Sequence, residues 1–83
     1  MIIQIYSKPA CTYCDQAEKI AEQIVQAMPA NYEKLMLDVD FSMDELIEKV
    51  PNAKTFPQVF VDGELVGGYG ECSRMEWLAD KHD

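Results

Sequence analysis

From Cys11 onward, apolar side chains return at helical spacing: Ala17, Ile20, Ala21, Ile24, Val25 and Met28. That period gathers them into one stripe, with Asp15, Glu18, Lys19, Glu22 and Gln23 on the other side, and so predicts a long amphipathic helix. Pro29 ends it. Ahead of this helix, Ile2-Ile3-Gln4-Ile5-Tyr6 is too apolar for simple in–out alternation, which predicts a central strand covered on both faces. After it, Leu35, Leu37 and Val39 alternate with Lys34, Met36 and Asp38, predicting a strand within Tyr32–Asp40. Ser42 followed three residues later by Glu45 is a capping-box pattern. It opens a short helix from Met43 to about Lys49, with Leu46, Ile47 and Val50 inward, broken at Pro51-Asn52. Gln58-Val59-Phe60-Val61 reads as a strand, Asp62-Gly63 as a tight turn, and Glu64-Leu65-Val66 as the returning strand. Gly67-Gly68 stops it and allows close backbone approach. A last helix, from about Glu71 to Asp80, buries Met75, Leu78 and Cys72.

The resulting order is β-α-β-α-β-β-α, an α/β class. The β-α-β opening implies a parallel pair joined by a right-handed crossover. The hairpin adds antiparallel strands, so the expected sheet is four-stranded and mixed, with three helices spread over both faces. The 83 residues suffice for one domain, residues 1–83, and no internal repeat, linker or low-complexity segment interrupts them.

Composition narrows the function. With 15 acidic and 7 basic residues the formal net charge is −8, which argues against nucleic acid or an anionic membrane as partner. The dispersed carboxylates read as solvated helix faces. No apolar run approaches the roughly 20 residues needed to cross a bilayer. Three cysteines are too few for a disulfide-dense secreted scaffold. Met1-Ile2-Ile3-Gln4-Ile5 lacks the charged start and long apolar stretch of a signal peptide. The expected location is therefore a reducing cytoplasm.

Two of those cysteines lie three positions apart, in Lys8-Pro9-Ala10-Cys11-Thr12-Tyr13-Cys14, between the first strand and the first helix. Cys11 then falls at the helix start, where unpaired N–H groups and the helix dipole favour a thiolate. Lys8 adds positive charge nearby. Cys14, one turn on, is within reach of Cys11 and can resolve a mixed disulfide. A zinc half-site is the first alternative, but a structural zinc takes four ligands, and only Cys72 and His82 remain to complete it. A purely structural disulfide is the second, although so short a loop constrains the unfolded chain little. Beside a strand–helix pattern, the pair reads first as a redox site. Further along, Thr55-Phe56-Pro57 directly precedes a strand. Proline there removes a donor and leaves the backbone of Phe56 able to pair elsewhere. On residue statistics alone the Phe56–Pro57 bond is trans.

The chain resembles the glutaredoxins from end to end. Lys8, Cys11, Tyr13 and Cys14 match a Lys-x-x-Cys-x-Tyr-Cys stretch. Thr55, Pro57, Gln58 and Phe60 match Thr-x-Pro-Gln-x-Phe. The Asp-Gly turn and the Gly-Gly-Tyr stretch follow at similar spacing. The resemblance implies a thioredoxin-like fold, a cis Phe56–Pro57 bond, and glutathione as reductant of protein disulfides and glutathionylated proteins. It implies that Cys11 attacks and Cys14 resolves. Lys8 and Lys54 would face the glycine carboxylate of glutathione, and Tyr13 would line the groove. The backbone of Phe56 would pair with its cysteinyl part in a miniature strand addition, with Thr55 also in the glutathione groove and Pro57 packed beside the two sulfurs, and Gly68, Tyr69, Gly70 and Glu71 would take its γ-glutamyl end. The implied protein is a monomer, with ribonucleotide reductase among the protein substrates known at family level.

Three positions depart from the family pattern. Thr12 stands where many glutaredoxins have Pro, restoring an N–H near the sulfur. Gly70 stands where the family often has Ser or Asp with a side chain for the γ-glutamyl group, so that contact is lost or falls to backbone groups and Glu71. Cys72 is an extra thiol, read first as a small buried residue. Absence of the motif proline also resembles members in which Cys11 of two subunits, with two glutathiones, holds a [2Fe–2S] cluster. A thioredoxin-like donor fed by a reductase is the remaining rival.

Overall fold

The computed structural model describes residues 1–81, with side chains through Leu78. The elements follow as β1 (Ile2–Ser7), α1 (Thr12–Ala27), β2 (Asn31–Met36), α2 (Met43–Lys49), β3 (Gln58–Val61), β4 (Glu64–Gly67), α3 (Tyr69–Arg74) and α4 (Glu76–Lys81). The sheet order is β2-β1-β3-β4. β1 runs parallel to β2, with Ile2 opposite Asn31 and Ser7 opposite Met36. β3 is antiparallel to both β1 and β4. This is the mixed four-stranded sheet expected from the apolar pattern.

β1 is central because both of its faces are buried. Ile3 and Ile5 join Val59, Val61, Ala17, Ala21, Ile24 and Cys72 in a core under α1 and α3. Tyr6, on the opposite face, joins Phe41, Leu46 and Phe60 in a second core against α2. The Tyr6 ring meets Phe41 and Phe60 edge-on, with centroids 4.8 and 5.2 Å away. The hairpin closes through Asp62 (φ 53) and Gly63 (φ 85), the left-handed pair that matches strand twist. Asp62 also accepts a hydrogen bond from the Ile2 N–H at 2.8 Å, pinning the turn to the start of β1. The capping box is present as expected: Ser42 Oγ accepts from the Glu45 N–H, and the Glu45 carboxylate accepts from the Ser42 N–H.

Three expectations need correction. The strand expected within Tyr32–Asp40 ends at Met36. Asp38 turns left-handed at φ 65, and the Asp40 carboxylate accepts the Met36 N–H at 2.8 Å. Only Leu37 continues, as an isolated bridge to Phe41, and Val39 is 78% exposed instead of inward. Ile47 lies at the rim of α2, 41% exposed, while Leu46 is wholly buried. The last helix is two helices, giving four among the described residues. Met75 adopts a left-handed conformation (φ 58, ψ 19), and its N–H donates to the Cys72 carbonyl. Trp77 Nε1 donates to that same carbonyl at 3.3 Å and packs on the first core. A left-handed non-glycine residue costs about 1–2 kcal/mol; these contacts offset it. Met75 and Leu78 are half-buried, whereas Cys72 is buried. His82, considered as a metal ligand with Cys72, lies outside the described residues. Among the described residues, no helix is long and apolar enough to cross a membrane.

Candidate active site

β1 delivers the chain to the C-terminal end of the parallel pair, where the Ser7 carbonyl is held by the Leu37 N–H at 2.9 Å. The following loop reverses at Ala10 (φ 55), and Cys11 becomes the N-cap of α1 with an extended backbone (φ −116, ψ 104). Its Sγ occupies the place of a capping oxygen and accepts the Cys14 N–H at 3.2 Å. Cys11 and Cys14 are joined as a disulfide, with Cα atoms 5.2 Å apart. Cys11 is 9% exposed and Cys14 is fully buried. The capping N–H and the helix dipole both favour negative charge on Cys11 Sγ once the pair is reduced.

A second segment meets the sulfurs from β3. The Phe56–Pro57 bond is cis, as the family resemblance implied and residue statistics did not. The Phe56 carbonyl oxygen lies 4.0 Å from Cys11 Sγ. Pro57 is fully buried, and Thr55 is exposed with its carbonyl accepting from Gln58 Nε2 at 2.9 Å. Gly68 comes close to this segment: a Cβ added there would lie 3.5 Å from the Pro57 carbonyl. Tyr13, 58% exposed, and Tyr69 face each other with ring centroids 5.2 Å apart, bridging the start of α1 to the start of α3. The structure therefore brings together Cys11, Cys14, Tyr13, Phe56, Pro57, Gly68 and Tyr69.

The remaining expected residues stand further out. Lys8 and Lys54 are exposed, and neither forms an ion pair among the described residues. Gly70 is exposed in the first turn of α3, with no atom within 4 Å of an added Cβ. Glu71 folds back so that its Cγ would lie 2.9 Å from a Cβ on Gly67. That close approach, with φ 131, is why β4 ends in glycine.

Two features escaped the sequence. Asp15, in the first turn of α1, places a negative charge near the helix start, and Lys34 on β2 pairs with it at 2.8 Å. The hydrogen bond to Asp15 leads the causes that raise the Lys34 pKa above its ordinary value, with Glu18 adding to it. The other is the Gln58 carboxamide reaching back to Thr55. The first has no short-range signal, since Lys34 and Asp15 meet only through the β-α-β crossover; the second spans only three residues. Cys72 stays apart from this chemistry: burial pushes its thiol up to about 11. No group of three His, Cys, Asp or Glu side chains among the described residues is arranged to hold a metal ion.

A glutaredoxin family model matches residues 3–66. A mouse protein named Glutaredoxin-2, mitochondrial, is 30% identical over 76 residues, covering 88% of this chain and 46% of that protein. The chain thus spans about half the length of such mammalian relatives. Glutaredoxin 3 of Escherichia coli K12 is 27% identical over 74 residues, covering 89% of this chain and 84% of its own. In three dimensions, oxidised E. coli glutaredoxin superposes with a TM-score of 0.81 at 27% identity, covering 100% of this chain and 99% of that one.

Proposed function

Since the chain belongs to the glutaredoxin family, we propose that it is a glutathione-dependent thiol–disulfide oxidoreductase. The observation that carries this reading is the placement of Cys11 Sγ at the cap of α1, bonded to Cys14 and 4.0 Å from the Phe56 carbonyl. The helix start supplies a thiolate, and the Phe56 segment supplies backbone for a short thiol peptide.

In the reduced protein, the Cys11 thiolate attacks one sulfur of a protein disulfide. A Cys11–substrate disulfide forms, and the other substrate sulfur leaves as a thiolate that takes a proton. Cys14 loses its proton and attacks Cys11 Sγ, releasing the substrate as a thiol and forming the Cys11–Cys14 disulfide. A glutathione thiolate opens this bond at Cys11, returning Cys14 as a thiol. A second glutathione attacks the bound glutathione sulfur, leaving glutathione disulfide and the Cys11 thiolate. Two electrons pass from two glutathiones to one substrate disulfide. With a glutathionylated protein, Cys11 takes the glutathione directly and Cys14 is not needed.

Lys8 and Lys54 face the glycine carboxylate, and both are exposed and make no ion pair among the described residues. Tyr13 and Tyr69 border the groove, Thr55, Phe56 and Pro57 receive the cysteinyl part, and Gly68, Gly70 and Glu71 lie at the γ-glutamyl end. The work takes place in a compartment supplied with reduced glutathione. The test is a coupled assay with glutathione and glutathione reductase on a small mixed disulfide, run beside thioredoxin reductase as electron source. Turnover is expected with glutathione; turnover with thioredoxin reductase alone would overturn the reading.

A further inference from the structure

Gln58 opens β3 opposite Tyr6 and is one of the few buried polar residues, 7% exposed. Its side chain does not follow the strand. Nε2 turns back to the Thr55 carbonyl at 2.9 Å, so the side chain spans the cis Phe56–Pro57 peptide. One end of the spanned segment is fixed by β3 pairing with β1. The other end, Thr55, is exposed and follows the exposed Lys54, outside any strand. The amide bond therefore ties the loose end to the fixed one. Between them lies the Phe56 backbone, whose carbonyl is 4.0 Å from Cys11 Sγ.

We propose that Gln58 is a positioning residue, holding the Thr55–Phe56 peptide in the orientation that presents its backbone to an incoming thiol peptide beside Cys11. This rests on the reading above, in which the Phe56 backbone receives the cysteinyl part of glutathione. The Gln58 amide donates to the Thr55 carbonyl and so acts through the peptide it orients. A buried carboxamide suits the task because its N–H donates at every pH. Loss of the clamp weakens capture of the thiol peptide and leaves the reactivity of Cys11 as it was.

Gln58→Glu tests this. Glutamic acid has nearly the same shape but donates only when protonated, and burial favours the protonated form. Release of free thiol from a glutathionylated peptide is followed by chromatography, each variant being compared with wild type at the same pH. For Gln58→Glu, KM should lie within about twofold of wild type near pH 5 and rise about three- to tenfold near pH 8, the worth of one neutral hydrogen bond. Gln58→Met, equally long with no donor, should raise KM at both pH values. For both variants kcat and the alkylation rate of Cys11 should stay within about twofold. If KM of the Glu variant shows no pH-dependent change and the Met variant matches an active wild type, the positioning role fails while the redox reading stands. Loss of kcat together with binding at every pH marks a merely structural residue and overturns it too. A wild type that does not turn over with glutathione takes down both the reading and the role.

Discussion

Thr12→Pro separates two sources of thiolate stabilisation at Cys11. Thr12 is the first residue of α1, where a missing N–H removes no intrahelical bond and the fixed φ of proline is already helical. The preceding residue, Cys11, is extended, as a residue before proline prefers. The hydrogen bond to Cys11 Sγ comes from Cys14, not from Thr12. Proline therefore fits and restricts the unfolded chain, a stabilisation of about 0.4–1 kcal/mol. For a chain of this size that is about 2–8 °C in Tm. The thiolate should be kept. Iodoacetamide alkylation of reduced Cys11 near pH 6, located by mass spectrometry, follows the thiolate fraction and should stay within about threefold of wild type. Had Thr12 supplied a hydrogen bond to the charged sulfur, its loss would cost about 1.5–3 kcal/mol, or about 10–150-fold in the ionisation constant, and as much in that rate at a pH where the thiol is mostly protonated. A fall of tenfold or more in a folded variant would therefore place the Thr12 N–H on the sulfur and refute the assignment to Cys14. A lower Tm would refute the backbone argument.

Other outcomes follow from the same geometry. Cys14→Ser should keep deglutathionylation and lose most protein-disulfide reduction, while Cys11→Ser abolishes both; equal loss of both activities in a folded Cys14 variant would contradict the assigned roles. Gly70→Ser meets no atom and replaces a helical glycine, so it should raise Tm by about 1–4 °C, about 0.3–0.5 kcal/mol. It should also lower KM for a glutathionylated peptide, and an unchanged KM would take position 70 out of the groove. Cys72 is neutral below pH 9 whether folded or unfolded. Between about pH 9 and 11 only the unfolded chain ionises there, so stability falls across that window as the unfolded state binds fewer protons. Cys72→Ala should flatten this alkaline loss in urea melts, and an unchanged slope would mean the thiol is not shielded.

Much of this fold is written in local signals. Asp62-Gly63 and the Ser42–Glu45 box act within four residues, and both appear as read. The helical stripe of α1 buries Ala17, Ala21 and Ile24, as its spacing requires. Where the reading failed, the deciding contact was distant or unmarked. Val39 turns outward because Asp38 and Asp40 reshape the end of β2 around Met36. The break at Met75 has no Gly or Pro to announce it; Trp77 and the Cys72 carbonyl decide it together. For the site, the pair Cys11–Cys14 was legible from spacing. The cis Phe56–Pro57 bond was legible only through family resemblance. The Gln58 clamp had one available clue, a polar residue heading a strand that is otherwise wholly apolar.

The unequal burial of the two sulfurs gives the oxidised site a polarity that acidity alone would not. Cys14 offers no surface to a nucleophile arriving from solvent, whereas Cys11 as a residue keeps 9% of its own. In the proposed reaction, displacement is therefore regioselective: the newcomer bonds to the outer sulfur, and the inner one is the leaving group. Reversing that order would require opening a hole in the packing under α1, which no adjustment of thiol basicity can do.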